Sequence, residues 1–174
     1  MLDLPKRKNI RLKDFDYSQN GAYFITICTK TQIFWNVGAI INRPQDSTSR
    51  TNLHRPALSK YGMITESAIN EISNHYSGAV VDKYVVMPNH IHMIIFLNND
   101  YKTEKVRTNG RLIIAPTATP TISTIIQQMK RYVTKQIGHS IWQKSFYDHI
   151  IRDEKDYQKI WQYIDENTIT SLLK

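Results

Sequence analysis

Apolar residues along this chain follow two periods. Residues 22–30 (AYFITICTK) are β-branched, aromatic and apolar and predict a core strand. Residues 32–42 predict a short hairpin turning at 36–38, and 42–56 (NRPQDSTSRTNLHRP) read as a polar surface loop. Over 59–76, Tyr61, Ile64, Ala68, Ile69, Ile72 and Tyr76 recur on one side of a helix. Strands at 80–87 and 90–97 follow, joined by a tight turn at Pro88 and Asn89. A polar connector over 98–119, with an apolar patch at 112–115, leads to a second helix. In it Ile122, Ile125, Ile126, Met129, Val133 and Ile137 repeat at helical spacing, with Thr119 as the expected cap and Pro120 in the first turn. Residues 146–152 (FYDHIIR) read as a short extended piece. A last helix is expected from an Asp153 cap, with Glu154 in its first turn, to about Asn167.

The order is strand, hairpin, helix, strand, strand, helix, strand, helix, with no internal repeat. This is an α+β, ferredoxin-like split βαβ pattern with one extra C-terminal helix. Its antiparallel sheet is expected to carry helices on one face and leave the other for a ligand or partner. A length of 174 residues fits a single domain, 1–174, that buries about two-thirds of its unfolded surface. Within it, 1–20 is a basic N-terminal segment, 98–119 the connector and 153–167 the last helix.

Charge adds a first functional direction. Lysine and arginine number 23 against 15 aspartates and glutamates, a balance of +8 that favours polyanionic partners, above all nucleic acid. Lys6, Arg7, Lys8, Arg11 and Lys13 crowd the start, and Lys130, Arg131 and Lys135 share one helix; solvated faces are the plainer reading of both groups. The single cysteine, Cys28, excludes an intramolecular disulfide and a CxxC zinc knuckle. No apolar run approaches the roughly 18 residues of a membrane span, and the start has no apolar signal region, so a reduced cytoplasmic protein with no membrane association is expected.

The sharpest chemical feature is Pro88-Asn89-His90-Ile91-His92. Side chains alternate on a strand, so both imidazoles face one side and can converge on one cation; two half-exposed strand histidines are the alternative. On the last helix Tyr157, Ile160, Trp161 and Ile164 form the apolar stripe expected to face the core. Tyr163 lies about 110° from its centre at 100° per residue, so core packing does not explain it. Asn167 lies one turn further on the same ridge, where a C-cap is the plainer reading.

Four blocks in order carry a family resemblance: RKNIRLKDFDYSQNGAYFITICT at 7–29, YVVMPNHIHMII at 84–95, STIIQQMKRYVTKQI at 123–137 and IWQKSFYDHIIRDEKDYQKIWQYIDEN at 141–167. Together they resemble the single-tyrosine HUH transposases, in particular the REP-associated tyrosine transposase branch. The resemblance implies His90 and His92 as the pair binding a divalent metal, Tyr163 as the nucleophile and Asn167 as a third, amide-type ligand. Members usually follow that asparagine with proline, whereas Thr168 stands here.

What the resemblance implies chemically is a metal-dependent transesterase acting on single-stranded DNA beside hairpins or palindromic repeats. The phenol attacks the scissile phosphate and a 5′-phosphotyrosine forms; a second DNA end reverses the step. The metal is expected to be Mg²⁺ or Mn²⁺, while imidazole ligands alone would hold Zn²⁺ more tightly. Arg7, Lys8, Arg11, Lys13, Lys130 and Arg131 are the candidate phosphate contacts. No general base stands out: His149 reads as structural and Lys159 as a solvated helix lysine. A homodimer is a further possibility, since related insertion-sequence transposases act as dimers. Two other readings stay open: a non-catalytic ferredoxin-like module that binds single-stranded nucleic acid, and a metal phosphodiesterase using water.

Overall fold

The computed structural model describes residues 15–35, 57–98, 107–108, 111–112 and 120–172, the backbone alone at 107–108, 111–112 and 168–172. The elements are β1 (Gly21–Cys28), α1 (Lys60–Asn70), α2 (Ile72–His75), β2 (Ala79–Val86), β3 (His90–Leu97), the two-residue strands β4 (Arg107–Thr108) and β5 (Arg111–Leu112), α3 (Ile122–Ile137), β6 (Tyr147–Ile151) and α4 (Glu154–Leu172). Four strands form one sheet in the order β2-β3-β1-β6, every neighbouring pair antiparallel. β3 is thus inserted between β1 and β2, and β1 between β3 and β6. Two interlocked split βαβ units result, as the pattern predicts.

The two faces of the sheet are packed differently. On β3, Ile91, Met93, Ile95 and Leu97 enter the main core with Ile69 of α1, Ile72 of α2 and Ile125, Ile126, Met129 and Val133 of α3. Alternation sends His90, His92, Ile94 and Phe96 to the opposite face. That face is not free. α4 lies across it on a smaller cluster of Val85, Met87, Ile94 and Ile164, bordered by Phe24, Trp35, Ile151, Tyr157 and Ile160. The expected α4 stripe is only partly buried: Trp161 is 40% exposed, under the Lys83 ammonium 2.8 Å from its ring centre. An indole tolerates that position because a cation over its face compensates for incomplete burial.

Local chemistry explains most boundaries. Ser59 caps α1 by accepting from the Gly62 amide at 3.1 Å. Gly62 lies so close to the Phe34 carbonyl that a β-carbon there would collide with it. The expected 59–76 helix is divided by a turn at Glu71, which neither glycine nor proline marks. Thr121, not Thr119, caps α3, accepting from the Thr124 amide at 3.1 Å; Pro120 therefore precedes the cap. Gly138 ends that helix at φ 91°, a left-handed conformation that glycine adopts without a β-carbon clash. At the start of the expected hairpin, Trp35 bridges to Leu58 just ahead of α1. Residues 36–56 and most of 98–119 lie outside the described residues, and with them the rest of that hairpin, the loop at 42–56 and the connector. Among the described residues no helix is long and apolar enough to cross a membrane.

Candidate active site

β3 starts at His90 because the turn before it is pinned on both sides. The Met87 amide donates to the His90 carbonyl at 2.8 Å, and Thr29 gives both its amide and its hydroxyl to the Asn89 carbonyl. His90 and His92 then share a face, as alternation predicts, with ring centres 4.6 Å apart. His90 Nδ1 lies 2.7 Å from Asn89 Oδ1. With the amide oxygen in that position, which can only accept, the imidazole donates from Nδ1 and Nε2 keeps its lone pair. His92 Nδ1 lies 2.8 Å from the hydroxyl of Thr26, its cross-strand partner, while Phe24 stacks on its ring at 5.2 Å.

Burial governs the charge of both rings. His92 is only 5% exposed, and its pKa is pushed down to about 3, first by burial and then by His90. Burial also lowers that of His90. Both imidazoles therefore favour the neutral form at pH 6.5 and above, the protonation state in which a histidine donates a lone pair.

α4 brings the tyrosine. Asp153 starts the helix by accepting from the Asp156 amide at 2.8 Å, and buried Ile164 seats it on the sheet. Tyr163, next to Ile164, is 47% exposed, yet its ring meets Phe24 and His92 edge-on with centres 6.1 and 5.3 Å away. Its hydroxyl lies 3.5 Å from His92 Nε2, longer than a strong hydrogen bond but on the face that carries both histidines. All three groups come from one chain. Three further contacts hold α4 to β2. Tyr157 donates to Asp82 at 2.7 Å, Asp165 pairs with Lys83 at 2.6 Å, and Lys83 covers Trp161. The β2–β3 register shifts between Val81 and Lys83. Sequence reading missed Thr26, Phe24, Asp82 and Lys83, since cross-strand register and bulges leave no mark in a single sequence.

Asn167 is not a C-cap, because α4 continues to Leu172. With Thr168 in place of a proline, nothing interrupts the helix at that point. Its side chain is half-buried, and the amide nitrogen is buried with no hydrogen-bond partner among the described residues. An amide whose nitrogen and oxygen exchange by a half-turn can equally present its oxygen there. Two neutral imidazoles and an unpaired amide on the tyrosine's own helix are donors that fit a divalent cation.

The other candidates separate. Arg7, Lys8, Arg11 and Lys13 lie outside the described residues. Lys130 donates to the Gln143 and Ser145 carbonyls at 3.0 and 2.8 Å, which makes it a tie for that loop, whereas Arg131 is exposed. His149 pairs with Asp156 at 2.8 Å across the first turn of α4, the structural part expected of it.

Sheet order and closing helix together define an α+β protein built on a four-stranded antiparallel sheet. No family model matches the chain. An uncharacterized protein of Haemophilus influenzae is 33% identical over 176 residues, covering 94% of this chain and 88% of that protein. A second Haemophilus influenzae protein, provisionally named a REP-associated tyrosine transposase, is 25% identical over 154 residues, covering 88% and 73%. The solved structure of a REP-associated tyrosine transposase bound to a REP hairpin has the same fold. Its TM-score is 0.57 at 22% identity, over 92% of this chain and 73% of that one. The chain belongs to one family with the first of these proteins. Its resemblance to the REP-associated tyrosine transposases is borne out by the other two.

Proposed function

We propose that the protein is a transposase-type DNA enzyme that cuts and rejoins single strands beside hairpins through a covalent tyrosine intermediate. The observation that carries this reading is the Tyr163 hydroxyl 3.5 Å from a neutral, buried His92, on the face that also holds His90. Neither a core role nor a surface role accounts for a half-exposed phenol edge-on to one ring of a histidine pair. The name of one sequence relative, and the REP hairpin bound by the structural neighbour, support the same substrate class.

In this reading His90, His92 and Asn167 hold a divalent cation, Mg²⁺ or Mn²⁺, which when bound polarises the scissile phosphate and offsets charge in the transition state. Tyr163 supplies the oxygen that attacks phosphorus. A bond forms from that oxygen to the 5′-phosphate, the bond to the 3′-oxygen breaks, and the phenolic proton passes to solvent. The 3′-oxygen leaves as a hydroxyl after taking a proton from water. With a pKa near 3, His92 is too weak a base to take a proton from a phenol whose ordinary pKa is about 10. Lone-pair donation is the role its environment favours. Thr26 and Asn89 orient the two rings, and Phe24 fixes the plane of His92. Because the ester keeps the energy of the broken bond, a second 3′-hydroxyl can reverse the step without ATP.

The test is adduct formation. Labelled hairpin-flanked single-stranded DNA incubated with protein and Mg²⁺ or Mn²⁺ is expected to yield a denaturation-resistant labelled protein band. Tyr163→Phe abolishes it. His90→Ala reduces it by about 10²- to 10³-fold, the scale set by removing a principal charge-stabilising group, with binding largely retained. Binding without a band across a broad set of hairpins returns the reading to a non-catalytic module. Cleavage that survives Tyr163→Phe makes it a hydrolase.

A further inference from the structure

A groove of about 910 Å³ opens between α3 and the segment 140–146. Among the described residues that line it, five are basic, Lys30, Lys130, Arg131, Lys135 and Lys144, and none is acidic. The five differ in what their charges do. Lys130 donates to the Gln143 and Ser145 carbonyls, and Lys30 to the Ser140 carbonyl at 3.3 Å. These two ammonium groups brace the segment, which turns through Ser145 at a φ of 70°, a conformation uncommon for any residue but glycine. Trp142 is likewise committed: it is buried, and its indole nitrogen donates to the Lys130 carbonyl at 3.0 Å. Arg131, Lys135 and Lys144 are exposed. The framework is therefore fixed by two cations, while three others face solvent along it.

The groove connects with the candidate active site through the end of β1. The Gln143 amide donates to the Cys28 carbonyl at 2.9 Å, and its side-chain amide to the Thr29 carbonyl at 3.0 Å. Across β1 the same two residues face the site, Cys28 in register with His90 and Thr29 bonded to Asn89. Two strand spacings, about 10 Å, separate β3 from the groove segment in the plane of the sheet. α3 packs on the face opposite the histidines, so a bound strand reaches the site by passing round the edge of the sheet at the end of β1.

The geometry points to this groove as the site for a strand of DNA that flanks the cleavage position, its phosphates held by Arg131, Lys135 and Lys144. Single-stranded DNA as the occupant rests on the function proposed above. A bidentate guanidinium and two exposed ammonium groups, with no carboxylate among the described lining residues, suit a phosphodiester chain read by charge, not by sequence.

Oligothymidylate of about 20 nucleotides, titrated at several salt concentrations in EDTA, tests this without any cleavage. The triple variant Arg131→Ala, Lys135→Ala, Lys144→Ala is expected to lower the slope of log affinity against log salt by about 2, since each lost phosphate contact removes about 0.7. Binding near 50 mM salt should weaken at least about tenfold. A control triple of the same charge change, Lys60→Ala, Arg152→Ala, Lys155→Ala, should keep the slope. An unchanged slope in the groove variant overturns the assignment, as does an equal loss in the control. The two proposals fail separately. Adduct formation with an unchanged slope sinks the groove alone, while a lowered slope in a protein that never forms an adduct sinks only the enzyme.

Discussion

At the scale of single residues, the fold holds His92 neutral, and that has a cost in acid. The unfolded chain takes up a proton near the ordinary histidine value of 6.5, whereas the folded chain does so only near 3. Stability is therefore fully present above pH 6.5 and falls as pH drops toward 3, because over that range the unfolded state binds the extra proton. In metal-free protein this amounts to up to about 2 kcal/mol between pH 7 and 5, a window above most carboxylate titrations. Urea denaturation at the two pH values should show that drop, and His92→Gln should remove most of it; a drop of the same size in the variant would mean that other groups cause it. The two histidines were legible in the sequence because a two-residue period leaves no freedom in which face they share. Thr26 and Asn89, which orient their rings, were not, because strand register is decided by the whole sheet.

At the scale of elements, α4 is positioned as much by polar contacts to β2 as by its own apolar stripe. Lys83 joins Asp165 and Trp161 in one contact set, and Asp82 beside it holds Tyr157. The register shift at Val81/Lys83 places this pair at the α4 face of the sheet. Lys83→Met should displace Tyr163 and lower the rate of adduct formation about tenfold, or ~1.4 kcal/mol in the barrier. Lys83→Arg should restore most of it. A fall in DNA affinity with an unchanged single-turnover rate would instead make Lys83 a binding residue. The helical period and the Asp153 cap were readable, and both are present. The helix end was not: Asn167 looks like a cap until Thr168–Leu172 continue the turn, and only tertiary placement decides a C-terminus that neither glycine nor proline marks.

At the scale of the whole molecule, the split βαβ order follows from the alternation of strand and helix periods, but the unequal covering of the two faces does not. One face carries α1, α2 and α3 on a continuous core. Among the described residues the other carries α4 alone, on Val85, Met87, Ile94 and Ile164. The smaller contact means that α4 opens at lower free energy than the rest of the fold, since local opening scales with the apolar area lost. Under the proposed function, in which this helix presents a nucleophile to one DNA end and then accepts another, such an arrangement serves because reorienting it leaves the main core intact. Native-state hydrogen exchange should therefore show α4 amides exchanging with protection at least about tenfold below those of α3 and β3, and with a weaker dependence on denaturant. Protection of α4 equal to that of α3 would mean that the helix and sheet open only together, and that any movement of Tyr163 during the reaction must come from the side chain alone.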